Sequence, residues 1–170
     1  QLSPPSERYK LEGEVARGGM GAILRVWDET LRRHLAMKVV LGKEDLLAKG
    51  PTPPVDERTL ERFLEEAQVT GQLDHPGVVP VHELAVNGDG TVYFTMRLVK
   101  GSSLSEIFTL VRESKEGWNP TRAVSVILKV CETMSYAHSK GVIHRDLKPA
   151  NIMVGEFGEV YVMDWGLAKV

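Results

Sequence analysis

The chain has one cysteine, Cys131, in 170 residues. That count excludes an internal disulfide framework, fits a reducing compartment and so gives the expectation of a cytoplasmic location. Net charge is also scarce: 21 Lys and Arg stand against 23 Asp and Glu, a balance of -2. Nothing in that balance makes an electrostatic case for nucleic acid or an anionic membrane surface as a partner. No apolar run is long enough to span a bilayer. The opening Gln1-Leu2-Ser3-Pro4-Pro5-Ser6 lacks the apolar centre of a signal peptide. Internal repeats and low-complexity tracts are missing, and His34, His75, His82 and His138 have no metal-ligand spacing. What remains is a chain long enough to bury about 70% of its unfolded surface, as one domain or as two small lobes sharing a cleft.

Residues 1–8 read as a polar, disordered lead. From Tyr9 to Val40 the pattern is of short strands joined by tight turns, which suggests an antiparallel meander. The segment 43–58 contains Pro51, Pro53 and Pro54 and reads as a loop insertion. Asp56 or Thr59 then caps a helix to about Leu73, with Leu60, Phe63, Leu64, Ala67 and Gln68 on one stripe. Two strands follow, Val78 to Val86 and Thr91 to Val99, around the turn Asn87-Gly88-Asp89-Gly90. Beyond Lys100 the chain turns helical. A short helix runs from Ser103 to about Ser114, and a longer one starts at Asn119-Pro120. Val124, Ile127, Leu128, Cys131, Met134 and Ala137 form its stripe. Lys140-Gly141 stops it, and a hairpin of Ile152 to Val154 and Val160 to Met163 follows. The fold class is α+β, a mostly β half and then a mostly α half.

The densest chemistry lies in His144-Arg145-Asp146-Leu147-Lys148-Pro149-Ala150-Asn151 and in Asp164-Trp165-Gly166. The arrangement suits metal-assisted phosphoryl transfer. Asp146 can take a hydroxyl proton, Lys148 can steady a phosphate, and Asn151 and Asp164 can hold magnesium. The rival reading is a polar loop with a capping aspartate. His144 fits a packed ring braced by backbone bonds better than a base. Upstream, Ala16, Gly18 and Gly21 have the spacing of a loop that lets backbone N–H groups reach phosphate, or of a tight strand turn. Gly21 is followed by Ala22-Ile23, which rules out a Walker-type loop. Lys38 sits in an apolar strand, either as an edge lysine reaching water or as a phosphate-binding lysine paired with a carboxylate. Glu66 offers that carboxylate, or else belongs to a solvated helix face. At about 4 Å and intermediate dielectric such a pair has roughly 4 kcal/mol of gross Coulomb attraction.

In this order the motifs resemble those of the eukaryotic-type protein kinases, and most of all the bacterial serine/threonine kinases. The resemblance covers Tyr9 to Val170. It implies a protein kinase-like two-lobe fold: an antiparallel β lobe with one long helix at 9–97, a hinge at 98–101, and the first part of an α-helical lobe at 102–170. It implies ATP and Mg2+ as cofactors and a protein with Ser or Thr hydroxyls as substrate. ATP would lie under the glycine loop. Ile23, Ala36 and Met153 would sandwich the adenine, Met96 would close the back of the pocket, and the backbone of Arg97 to Val99 would bond the base edge. Lys148, two residues after Asp146, matches the serine/threonine-specific form. In the family Arg145 would meet a phosphorylated activation loop.

Three departures stand out. Ala16 replaces the first glycine of the loop, and Trp165 replaces the usual Phe, still able to pack under the helix bearing Glu66. The chain also stops four residues after Gly166. Together with the opening Gln1, that gives the expectation of a fragment of a longer protein, membrane-anchored or not, with the activation segment and the rest of the second lobe outside it. The stripe with Ile127, Leu128 and Met134 would then be partly uncovered. The alternatives to a protein kinase are a nucleotide-binding pseudokinase or interaction module, inactive through truncation, and a small-molecule kinase of the same fold.

Overall fold

The structure, a computed structural model, describes residues 8–18, 21–40 and 55–170. The expected lead before Arg8, the centre of the glycine loop at Gly19-Met20 and most of the proline-bearing segment lie outside the described residues. The chain divides into two compact units. One comprises the described residues up to Ala67 together with Pro80–Leu98, the other Gln68–Val79 with Val99–Val170.

In the first unit five strands form one antiparallel sheet. They are β1 (Tyr9–Gly18), β2 (Gly21–Asp28), β3 (Arg33–Val40), β4 (Val81–Val86) and β5 (Val92–Arg97), in the order β1-β2-β3-β5-β4. The β2–β3 turn is tied down by Asp28. Its carboxylate accepts the N–H groups of Thr30 at 2.9 Å and Leu31 at 3.1 Å and is gripped by the Arg8 guanidinium. Gly21 is needed for packing: a Cβ there would lie 2.0 Å from the Val39 carbonyl oxygen of the neighbouring strand. Strand alternation divides the side chains between two faces. Val26, Leu35, Met37, Val39 and Tyr93 build an apolar core on one. Lys38 lies on the other, opposite Ile23 on β2 and Phe94 on β5.

Helix α1 (Glu57–Gln72) begins at the Asp56 cap, which accepts the Thr59 N–H at 3.0 Å and the Thr59 hydroxyl at 2.6 Å. Its buried stripe is Phe63, Glu66, Ala67 and Thr70. Gln68, expected on that stripe, is exposed, and Glu66 takes the inward place. The 3.6-residue period fixes which residues share a face, and burying a carboxylate is tolerable because Lys38 is there to pair with it. Phe63 packs on Phe94 with ring centroids 5.1 Å apart, so α1 covers the Lys38 face of the sheet.

The second unit starts with β6 (Gly101–Ser103), which joins β7 (Ile152–Gly155) and β8 (Val160–Val162) in a small antiparallel sheet ordered β6-β7-β8. Helix α2 (Leu104–Glu113) has a reciprocal capping box between Ser103 and Glu106. Helix α3 (Pro120–Ser139) is capped by Asn119, with Pro120 in the first turn where a missing N–H costs nothing. Its expected stripe is only partly the buried one. Met134 and Ala137 are buried, together with Ala123, Val126, Val130 and Thr133. Val124 and Leu128 are 62% and 60% exposed, and Ile127 and Cys131 share their face. The helix is apolar on two faces, and periodicity alone does not say which one packs. Among the described residues, no helix is long and apolar enough to cross a membrane.

Ile107 and Trp165 belong to the core of this unit, with Leu73, Val130, Ile152 and Val162. Ile107→Ala is expected to lower the unfolding free energy by about 2–5 kcal/mol in denaturant titration, through lost burial plus the cavity left behind. A loss below ~1 kcal/mol contradicts this packing.

Candidate active site

Lys38 is on an interior strand, between β2 and β5, so it has no sheet edge from which to reach water. Its ammonium instead donates to both Glu66 oxygens at 2.6 Å, and the two side chains are 14% and 7% exposed. Both charges are largely desolvated, so each depends on the other. The same sheet face gathers other expected residues. Ala16 stands opposite Ile23, and the buried Ala36 opposite the buried Met96. Gly18 pairs with Gly21 at the end of the β1–β2 ribbon. A cavity of about 340 Å3 lies on the opposite face, lined by Leu24, Val26, Met37, Val39 and Asp89 among others, and shares no residue with the Lys38 cluster.

In the second unit the loop after α3 is organised by His144, which is 1% exposed. Its Nε2 lies 2.8 Å from the Met163 carbonyl oxygen, and its Nδ1 accepts the Asp146 N–H at 3.2 Å. Those partners assign the tautomer, with the proton on Nε2. Asp146 is thereby fixed at its backbone. Its carboxylate meets Lys148 Nζ at 3.1 Å and the Asn151 amide Nδ2 at 3.3 Å, while the same Nδ2 donates to the Asp146 carbonyl at 2.9 Å. The Lys148 ammonium holds the Asp146 carboxyl below the usual carboxylate range, with a smaller contribution from Asn151. A 3-10 turn, Pro149–Asn151, brings Asn151 back toward Asp146, and the Asn151 carbonyl accepts the Met163 N–H at 2.7 Å. Met163 thus ties the strand before Asp164 to the loop that carries Asp146.

Asp164 is exposed and has φ 56, in the left-handed region. Arg145 has φ 67. Each such non-glycine conformation costs on the order of 1–3 kcal/mol and persists where the surroundings enforce it. Arg145 is held by donating Nε to the Leu167 carbonyl at 2.6 Å, and Ile143 bridges to Lys169. Trp165 is buried edge-on against His144, at 4.6 Å between ring centroids. Met153 is half-buried on β7, opposite Ser103 and Tyr161, and Val99 is half-buried between β5 and β6. The sequence suggests His144 as a ring braced by the backbone, and both ring nitrogens meet backbone groups. The sequence marks only this ring and not Met163, which acts through its peptide groups and leaves no side-chain signal.

Two compact units, one with a buried lysine–glutamate pair and one with an aspartate–lysine–asparagine loop, correspond to a known class of domain. The protein kinase domain model matches residues 9–170. The serine/threonine-protein kinase PknD of Protochlamydia amoebophila is 36% identical over 172 residues, covering 96% of this chain and 16% of that protein. The proteins of the same name from Chlamydia muridarum and Chlamydia trachomatis serovar D are 39% and 37% identical over 169 residues, covering 95% of this chain and 17% of each. The chain belongs to the protein kinase domain family. It spans 16% to 17% of the length of these curated relatives.

Lys38→Met takes the ammonium away from the buried Glu66 carboxylate and is expected to cost about 3–5 kcal/mol of stability. Adding Glu66→Gln to it is expected to recover part of that loss, so the double variant costs less than the sum of the single ones. Strictly additive costs in denaturant titrations contradict the pairing.

Proposed function

We propose that this chain carries the catalytic residues of an ATP-dependent serine/threonine protein kinase, which moves the γ-phosphoryl group of ATP to a Ser or Thr hydroxyl of a protein. The observation that supports this reading most is the Asp146 carboxylate, 3.1 Å from the Lys148 ammonium and bonded to the Asn151 amide, in a chain of the protein kinase family. Asp146 accepts the hydroxyl proton as the oxygen attacks. Lys148 holds its carboxyl below the usual carboxylate range, so it is ionised at neutral pH. Lys148 steadies the transferring phosphoryl group. Lys38, held in place by Glu66, pairs with phosphate oxygens, and the backbone of the loop at Ala16, Gly18 and Gly21 approaches them. Ile23, Ala36, Met96, Val99 and Met153 are assigned to the adenine.

Asn151 and Asp164 fit a magnesium ion. The Asn151 side-chain Nδ2 is committed to Asp146, which leaves the side-chain Oδ1 as the atom able to bind metal. Asp164 adds an exposed carboxylate. Amide and carboxylate oxygens are the hard donors that magnesium takes. Among the described residues no group of three His, Cys, Asp or Glu side chains forms a rival metal site. When bound, magnesium offsets charge on the phosphate oxygens. Use of ATP and a single free thiol both suit the cytoplasm.

The test is transfer of labelled γ-phosphate from ATP to Ser- and Thr-containing peptides by the full-length protein. Asp146→Asn is expected to slow turnover by about 10²–10⁴-fold, the usual worth of a positioned base. Unchanged turnover in that variant overturns the assignment.

A further inference from the structure

An antiparallel sheet covered by a helix on one face commonly turns polar side chains outward on the other. The sheet of the first unit does not. Helix α1 packs on the Lys38 face, and the face away from it carries Val26, Leu35, Met37, Val39 and Tyr93 as an apolar cluster. The cavity of about 340 Å3 lies on this face. The buried Val26, Met37 and Val39 line it, with the half-buried Leu24 and with Leu11, which is 66% exposed. Its volume falls at the small end of the range for small-molecule sites.

The cavity is preformed on two sides. Tyr9 lines it, with its ring edge-on to Tyr93 at 6.1 Å between centroids and its hydroxyl donating to the Glu83 carboxylate. Tyr9 is on β1 and Glu83 on β4, the two edges of the sheet, so this bond spans the whole face. Burial, and then Glu83, push the phenol up, so it keeps the proton it donates. The β4–β5 turn also lines the cavity, through Asn87, Gly88 and Asp89. The turn is closed by the Asn87 N–H on the Thr91 carbonyl at 2.8 Å and the Gly90 N–H on the Asn87 carbonyl at 2.9 Å. Asp89 Oδ1 accepts the Thr91 N–H at 2.9 Å, and that bond, with one from the Thr91 side chain, holds the carboxyl below its usual range. Asp89 is therefore ionised at neutral pH. Among the described residues that line the cavity it is the only charged one, and no Lys, Arg or His is there to draw an anion.

We propose that this cavity is a binding site for a small amphipathic amine, its apolar body against Val26, Met37 and Val39 and its ammonium at Asp89. The turn is exposed, so the cationic head stays hydrated while the body leaves water. Met37 and Val39 flank Lys38 along β3, which puts the site on the reverse face of the strand that carries that lysine. It shares no residue with the catalytic reading and stands without it.

The experiment uses the full-length protein and three compounds that share a phenethyl body: phenethylamine, phenethyl alcohol and hydrocinnamate, a cation, a neutral molecule and an anion. The readout is the methyl NMR signal of Met37, titrated with each. An exposed ion pair corresponds to about a 1.5- to 5-fold change in affinity. Phenethylamine is expected to bind more tightly than the alcohol by that factor, and hydrocinnamate more weakly than either. Asp89→Asn keeps an acceptor for the Thr91 N–H and removes the charge, so it is expected to bring the amine and the alcohol to equal affinity. Leu24→Trp fills the cavity and is expected to abolish the Met37 response to all three. Asp89→Asn changes only an exposed turn and decides the case if the Trp variant folds poorly. The site is overturned if none of the compounds moves the Met37 signal, if the anion binds as tightly as the amine, or if the amine keeps its advantage in Asp89→Asn. A Met37 signal that moves with protein concentration alone also overturns it, because a second copy of the chain then occupies the face.

Discussion

One buried imidazole sets the geometry of the second unit. His144 uses both ring nitrogens on backbone groups, Nε2 on the Met163 carbonyl and Nδ1 on the Asp146 N–H. Each of those residues neighbours or is an acidic residue of the proposed site, Asp164 on one side and Asp146 on the other. A buried ring with both nitrogens bonded to backbone is more constraining than apolar contact, because breaking either bond leaves a polar atom dry. Asn151 adds a second tie, through its carbonyl to Met163 and its amide to Asp146. The two positive-φ residues, Arg145 and Asp164, sit beside these ties, where the surroundings can enforce an unfavourable backbone.

The first unit meets a different constraint. Placing Lys38 on an interior strand removes its route to water, and placing Glu66 on the buried stripe of α1 removes that of the carboxylate. Each charge is steadied by the other. Together they fix the register of α1 against the sheet face that also bears Ile23, Ala36 and Met96. Phe63 on Phe94 supplies the apolar part of that packing. The result couples a structural element to a charged group, so that displacing the helix breaks the Lys38–Glu66 pair.

Much of this was legible in the sequence where a local rule has a single solution. The Ser103 and Asn119 caps, the Gly141 stop and the turn at Gly158 appear where turn and cap chemistry puts them. Asp146, Lys148 and Asn151 come together because only a few residues separate them. The pairing of Lys38 with Glu66 was one of two open readings, and what decides it is a tertiary fact, the interior place of β3. The buried face of α3 was misjudged because Val124, Ile127 and Leu128 are as apolar as Val126 and Val130. Periodicity fixes a helix's faces and leaves open which one meets a neighbour. Met163 acts through backbone atoms, which every residue type has, so no residue code marks it.

The central claim is that His144 bridges the Asp146 and Asp164 segments through its two ring nitrogens in the protein free of ligand. Nitrogen-15 NMR of the His144 side chain tests it most directly. The account predicts the Nε2–H tautomer at neutral pH, with Nδ1 carrying no proton and an Nε2 proton protected from exchange with water. A proton found on Nδ1, or an Nε2 proton exchanging as freely as in a surface histidine, contradicts it.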